Sequence, residues 1–221
     1  MHHYKMVVFD MAGTTINENN VVYKTLHTTI CKAGYEITLN DVLANGAGKE
    51  KFKAIQDITN LNEKEALPIF KEFQEALASA YCTLEVTTFN GVEETFSVLK
   101  KQDIKVILNT GYDRVTATKL IEKLQWKVGH QIDDIITADD VETGRPLPDM
   151  ILLAMEKHQI TNTNQVIKIG DSDVDILEGK NANCGLTIGI TTGAHTEKQL
   201  KTAKPDFIIH QMSELLDILK A

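Results

Sequence analysis

Several residues able to do chemistry stand where short apolar runs stop. The run "MVVFD" ends on Asp10, "IKVILNT" ends on Thr110 just before Gly111, and "VIKIG" is followed by Asp171, with Asp175 four residues on. A loop reading "TGRPLP" holds Arg145, one of only two arginines among 23 basic residues. If these run ends meet, several carboxylates share one place. Two unit charges 4 Å apart interact by roughly 4 kcal/mol at an effective dielectric near 20, so such a cluster needs a cation. The candidate ligands are all oxygen, with no His or Cys cluster nearby, which favours magnesium over zinc. Asp10 and Asp171 suffice as its carboxylates, and Asp175, one helical turn past Asp171, can hold the site together from behind. The Thr110 hydroxyl and the free N–H groups at the start of a helix make an anion site. Arg145 can neutralise the rest of a phosphoryl group. A carboxylate can also attack phosphorus and form an aspartyl phosphate, and Asp10 is the best-placed candidate. Each residue alone has a plainer reading as a cap, a turn or a loop residue. Their joint occurrence, in this order at successive run ends, raises the catalytic one.

The elements that must position them follow an alternating pattern. "KMVVF" reads as a buried strand. Residues 21–34, 48–59 and 62–82 have helical spacing, the last with Leu67, Phe70, Phe73, Leu77 and Tyr81 three to four apart, and with Pro68 as a kink or boundary. No strand is expected between residue 15 and about residue 84. From there, helices and strands alternate to the end, with strands at "IKVILNT", "DDIITA", "VIKIG", "GLTIGI" and "DFIIH". That alternation implies a doubly wound, Rossmann-like α/β core with a parallel sheet, interrupted after its first strand by an α-helical cap domain. The expected division is a core of residues 1–15 and 85–221 and a cap of residues 16–84. In such sheets ligands bind at the carboxyl ends of the strands, where the acids stand.

Composition narrows the function. The chain has 221 residues, 43% hydrophobic and 24% charged, with a net charge of −8. The negative balance argues against nucleic acid as a partner. No run of about 18 apolar residues exists, so no membrane span is expected. The N-terminus has no apolar leader, which makes a cytoplasmic location the expectation. The three cysteines, Cys31, Cys82 and Cys184, are widely spaced and read as buried thiols. Trp126 and Tyr112 read as packing residues, and His195 as a surface-loop residue.

Taken together, "FDMAGTT", "LNTGYDR", "GRPLPDM" and "IGDSDVDILEGKNA" resemble the four motifs of the haloacid dehalogenase superfamily of phosphohydrolases over nearly the whole chain. Within it the chain looks most like the phosphonatase-like group. "DMAGTT" has Ala12 where most phosphatases of the superfamily carry a second aspartate, their acid and base for the leaving group. The resemblance places Ala12 at the phosphate site and its backbone oxygen on the magnesium ion. Arg145 stands where many relatives have lysine. The stretch "NGAGKEKF" is similar to the phosphonatase G-x-x-K segment and places Lys49 at the Schiff-base lysine; the alternative is a cap lysine that binds phosphate or is solvated. The implied mechanism is condensation of Lys49 with an aldehyde, attack of Asp10 on phosphorus, and hydrolysis of the aspartyl phosphate. Departures from the pattern are Phe52 in place of a histidine, Asn45 in place of methionine and Asn20 in place of cysteine. The expected partner is a small phosphonate or phosphorylated metabolite. Rival readings are a phosphoglycolate-type phosphatase and a non-catalytic phosphate-metabolite binder. The resemblance also suggests a homodimer formed through the cap.

Overall fold

The computed structural model describes residues 4–220. The apolar run Met6–Asp10 forms β1, buried along its whole length. It lies at the centre of a parallel sheet with β4 (Lys105–Thr110), β5 (Asp134–Thr137), β6 (Val166–Gly170), β7 (Leu186–Ile190) and β8 (Phe207–Ile209), in the order β5-β4-β1-β6-β7-β8. Side chains alternate across such a sheet. Val7 and Phe9 enter one apolar layer, whereas Met6 and Val8 enter the other. Helices α5 (Val92–Lys101) and α6 (Arg114–Lys123) cover the first face, and α7 (Asp149–Lys157) covers the second. Helices α8 (Asp173–Asn181), α9 (Glu197–Thr202) and α10 (Glu214–Ile218) complete the alternation. Trp126 is buried against Phe96, as its type suggested.

Strand order reverses at β1. The chain runs from β1 outward through β4 to β5, then returns to the other side of β1 through β6. The crevice at such a switch point is where ligands bind. Register fixes what stands there: Asp10 is level with Asn109 on β4, and Phe9 is level with Ile169 on β6. Asp10, Thr110 and Asp171 therefore share one edge.

Between β1 and α5 lie four helices, α1 (Val21–Lys32), α2 (Leu39–Gly46), α3 (Lys51–Thr59) and α4 (Glu63–Thr83). The sequence pattern missed α2, although Thr38 and Asp41 form a capping box at its start, a signal legible in the sequence. The expectation of no strand after residue 15 is also corrected. Two short strands, β2 (Ile16–Asn17) and β3 (Thr87–Thr88), pair antiparallel where the chain leaves the sheet and returns to it. Pro68 neither ends nor bounds α4, which runs through it. Leu67 is exposed, so the buried stripe of α4 consists of Ala66, Ile69, Phe73, Leu77 and Tyr81. The cysteines are corrected too: Cys82 is exposed, and Cys31 and Cys184 are half-buried. Among the described residues no helix is long and apolar enough to cross a membrane.

Candidate active site

Asp10 is buried at the end of β1, and its Oδ1 accepts a hydrogen bond from Arg145 Nη1 at 2.6 Å. Arg145 comes from the loop before α7 with its guanidinium almost wholly out of solvent. It also contacts Asp175 Oδ1 at 2.9 Å and Glu178 Oε2 at 3.1 Å, and donates to the Asn109 carbonyl at 2.6 Å. A second buried cation, Lys168 of β6, lies 3.1 Å from Asp175, 3.0 Å from Glu178 and 2.6 Å from the Asn109 side-chain oxygen. Sequence reading missed Lys168 and Glu178 and gave Asn109 no role. A lysine in the middle of "VIKIG" and a glutamate one turn past Asp175 are the signals, since a charge on a central strand must find a buried partner.

Asp171 differs from the other acids. Its oxygens accept from Thr14 Oγ1 at 3.1 Å and from the Ala194 N–H at 2.6 Å, and it touches no cation among the described residues. Burial, then the charges of Asp10 and Asp175, push its carboxyl well above the ordinary range. Burial and Asp175 likewise push Asp10 up, against the pull of Arg145 and Lys168. Burial acts on Asp175 in the same direction, yet Arg145 and Lys168 outweigh it and hold Asp175 low. The backbone closes tightly on Asp171. A Cβ at Gly13, whose φ is +89°, or at Gly193 would overlap its carboxylate.

Asp10, Asp171 and Asp175 each bring an oxygen within 4.8 Å of the others. An all-oxygen, buried, carboxylate-rich group with one member lacking any cationic partner fits a hard divalent cation. Asp175 already faces two basic groups, so Asp10 and Asp171 are the members with room for an ion. Ser172 caps α8 and receives Asp175 in return, with 2.5 Å between Ser172 Oγ and Asp175 Oδ2.

A cleft of about 20 Å³ is lined by Asp10, Ala12, Tyr23, Lys51, Thr110, Gly111, Arg145 and Asp171 among others. Thus Asp10, Ala12, Thr110, Gly111, Arg145 and Asp171 come together, with Asp175 behind Arg145. Lys49 does not join them. Its ammonium lies 2.8 Å from Asp57 and is one-third exposed. The lysine in the cleft is Lys51, the first residue of α3. Its Nζ donates to the Lys49 carbonyl at 2.5 Å and stands 5.3 Å from the centre of the Tyr23 ring. Burial lowers its ammonium to about 8, although Asp10 and Glu50 pull the other way. The reason for the two-residue displacement is local. The link from α2 turns at Gly48, whose φ is +71°, and Glu50 then caps α3, so the first side chain of α3 points inward. Phe52, where a histidine was expected, packs on Phe70 at 5.2 Å.

Four further placements correct or extend the sequence reading. His195 is buried, not a surface-loop residue. Its Nδ1 accepts from the Asp173 N–H at 3.1 Å, which leaves Nε2 to donate to the Leu43 carbonyl at 3.3 Å. Asp139 and Asp140 stand at the sheet edge but serve Arg114. Tyr112 lines the cleft, and its oxygen accepts from the Tyr81 hydroxyl at 3.2 Å. Glu18 is buried near the start of α1, and burial raises its carboxyl to about 7.

Comparison with known proteins gives the family and the fold. A family model described as haloacid dehalogenase-like hydrolase matches residues 7–206. A phosphonoacetaldehyde hydrolase of Latilactobacillus sakei is 28% identical, over 99% of this chain and 96% of the relative. A phosphoglycolate phosphatase of Vibrio cholerae is 25% identical, over 99% of this chain and 98% of the relative. Among solved structures, a phosphonoacetaldehyde hydrolase-like protein of Oleispira antarctica superposes with a TM-score of 0.84 at 22% identity, covering 98% of this chain and 91% of that one.

Proposed function

The chain belongs to the haloacid dehalogenase-like hydrolase family, and from that premise we propose that it cleaves a small phosphonate aldehyde with Asp10 as nucleophile and Lys51 as the imine-forming amine. The observation that carries this reading is Lys51: a buried amine, lowered to about 8, in the same cleft as Asp10. At pH 7 such a group is about one-tenth neutral, against well under a thousandth for a lysine near 10.4. Lys51 takes the role that the family resemblance gave to Lys49.

The steps balance without an acid at Ala12. The Lys51 amine condenses with the aldehyde and releases water. Asp10 Oδ attacks phosphorus, the C–P bond breaks, and its electron pair moves into the protonated imine to give an enamine. The enamine takes a proton at carbon and the resulting imine is hydrolysed, freeing the aldehyde and Lys51. A second water cleaves the aspartyl phosphate. Thr110, the N–H of Gly111 and Arg145 hold the phosphoryl oxygens, and Arg145 also orients Asp10. A magnesium ion held by Asp10, Asp171 and the Ala12 carbonyl would offset the carboxylate charge and polarise the phosphoryl group.

We take residues 16–84 as a cap on the remainder. The cleft of about 20 Å³ has room for about one water-sized group, so substrate entry requires the cap to open, with the β2–β3 ribbon as the hinge. A second reading, phosphomonoester hydrolysis, is supported by the Vibrio cholerae relative. It needs a proton donor other than residue 12.

The deciding measurement is release of phosphate and acetaldehyde from phosphonoacetaldehyde, with and without magnesium, followed by borohydride trapping and peptide mapping. The expected result is magnesium-dependent release of both products, an adduct on Lys51, and loss of turnover by roughly 10⁴-fold or more in Asp10→Asn. Cleavage that survives Lys51→Arg, or an adduct on Lys49, overturns the assignment. Phosphate release from phosphoglycolate alone selects the second reading.

A further inference from the structure

A second, much larger cavity of about 750 Å³ adjoins the cleft. Lys51, Gly111 and Tyr112 line both. One wall is a single face of α4, with Phe70, Phe73, Leu77, Ala78 and Tyr81 recurring at helical spacing. The opposite wall is the face of α6 that carries Thr116 and Leu120. Most of the charges at its rim are already engaged. Glu50 accepts from the N–H groups of Phe52 and Lys53, Asp113 from that of Thr116, and Asp139 from that of Arg114, while Lys123 donates to the Leu84 carbonyl. Lys119 and Glu122 also stand on its α6 side, and between the two helices the lining is mostly apolar and largely aromatic. Phe70 and Phe73 stack with centroids 6.3 Å apart, and Tyr81 meets Tyr112 edge to face at 6.5 Å.

We propose that this cavity receives the leaving group, and that the substrate carries an apolar, ring-sized body attached to its phosphonate or phosphate. The inference rests on the assignment of the phosphoryl group to the Asp10 cleft. Its ground is continuity: a group bonded to phosphorus beside Asp10 passes Lys51 and Tyr112 and enters the space between α4 and α6. The size also bears on which body is preferred, with phosphonoacetaldehyde as the smallest member of the class. Pockets for organic ligands of drug size run from roughly 300 to 1,000 Å³. A two-carbon body, at about 30 Å³ per water-sized group, fills only a small part of it. Ring faces such as those of Phe70 and Phe73 favour a planar partner, offset or edge-on.

The test uses two non-hydrolysable probes, ethylphosphonate and 2-phenylethylphosphonate, titrated calorimetrically into the magnesium-loaded full chain. Turnover is not needed for the readout. The phenyl compound is expected to bind at least tenfold tighter, about 1.4 kcal/mol. Ala78→Trp, which places a ring at the exposed mouth of the cavity, is expected to erase that ratio. Gln74→Trp, one turn earlier on the same face, gives a second reading, with circular dichroism confirming that each variant is folded. Equal affinity for the two probes, or a ratio that survives both substitutions, overturns the cavity assignment alone. A fall in molecular mass on Ala78→Trp with the ratio unchanged shows that a second copy of the chain covers this face, and overturns it as well. If neither probe binds, the phosphoryl assignment of the Asp10 cleft fails with it.

Discussion

At the scale of single residues, Lys51 sets chemistry against stability. Its buried ammonium is lowered to about 8, so folding disfavours the charged form. The unfolded chain, with an ordinary lysine near 10.4, holds more protons between pH 8 and pH 10.4, so this residue makes the protein more stable as pH rises through that window. Below pH 8 its full cost is present. Lys51→Met is therefore expected to raise stability at pH 7 by roughly 1–3 kcal/mol, read from denaturant midpoints, while imine chemistry is lost. A loss of stability in Lys51→Met would show that its attraction to Asp10 outweighs its desolvation. In the proposed mechanism the same proton sets the rate. Cleavage of an aldehyde phosphonate is expected to rise with pH up to about 8, where the neutral amine becomes the major form.

Two capping boxes separate structural from functional capping at the scale of elements. Thr38 caps α2 and Ser172 caps α8, each in reciprocal contact with an aspartate three residues on. Replacing either by alanine is expected to cost about 1 kcal/mol of stability, a fall of roughly 2–4 °C in Tm for a chain of this size. Only Ser172→Ala frees Asp175, which shares Arg145 with Asp10. It alone is expected to shift the magnesium dependence of turnover, by about threefold or more in half-saturating concentration. Equal magnesium curves for the two variants would mean that Asp175 keeps its place through Arg145 and Lys168 alone.

Charge is the property of the whole molecule that the site must overcome. A chain of net charge −8 repels an anionic phosphonate at long range, although Arg145, Lys51 and Lys168 gather at the site. Salt screens the exposed charges far more than the buried ones. Between about 10 mM and about 150 mM salt, kcat/KM is accordingly expected to rise up to a few-fold. A fall over the same range would mean that the local positive field extends past the cleft and steers the substrate in.

The sequence by itself determined the alternation of elements and therefore the parallel sheet, because the period of apolar residues is a local property. It also placed Asp10, Thr110, Asp171 and Arg145 at one edge, since ends of adjacent parallel strands share an edge. The missed α2 was legible in its capping box, but a segment of only eight residues did not stand out. Tertiary structure alone decided which lysine enters the cleft: one turn at Gly48 and the entry angle of α3 exchange Lys49 for Lys51. It decided the partners of Lys168 and Glu178: α8 folds back on β6 and brings the two together, and β4, on the far side of β1, brings Asn109 to both. It also decided the cavity between α4 and α6. Both helices were read from spacing, but the gap between two faces depends on how far apart distant segments are held, which no local pattern records.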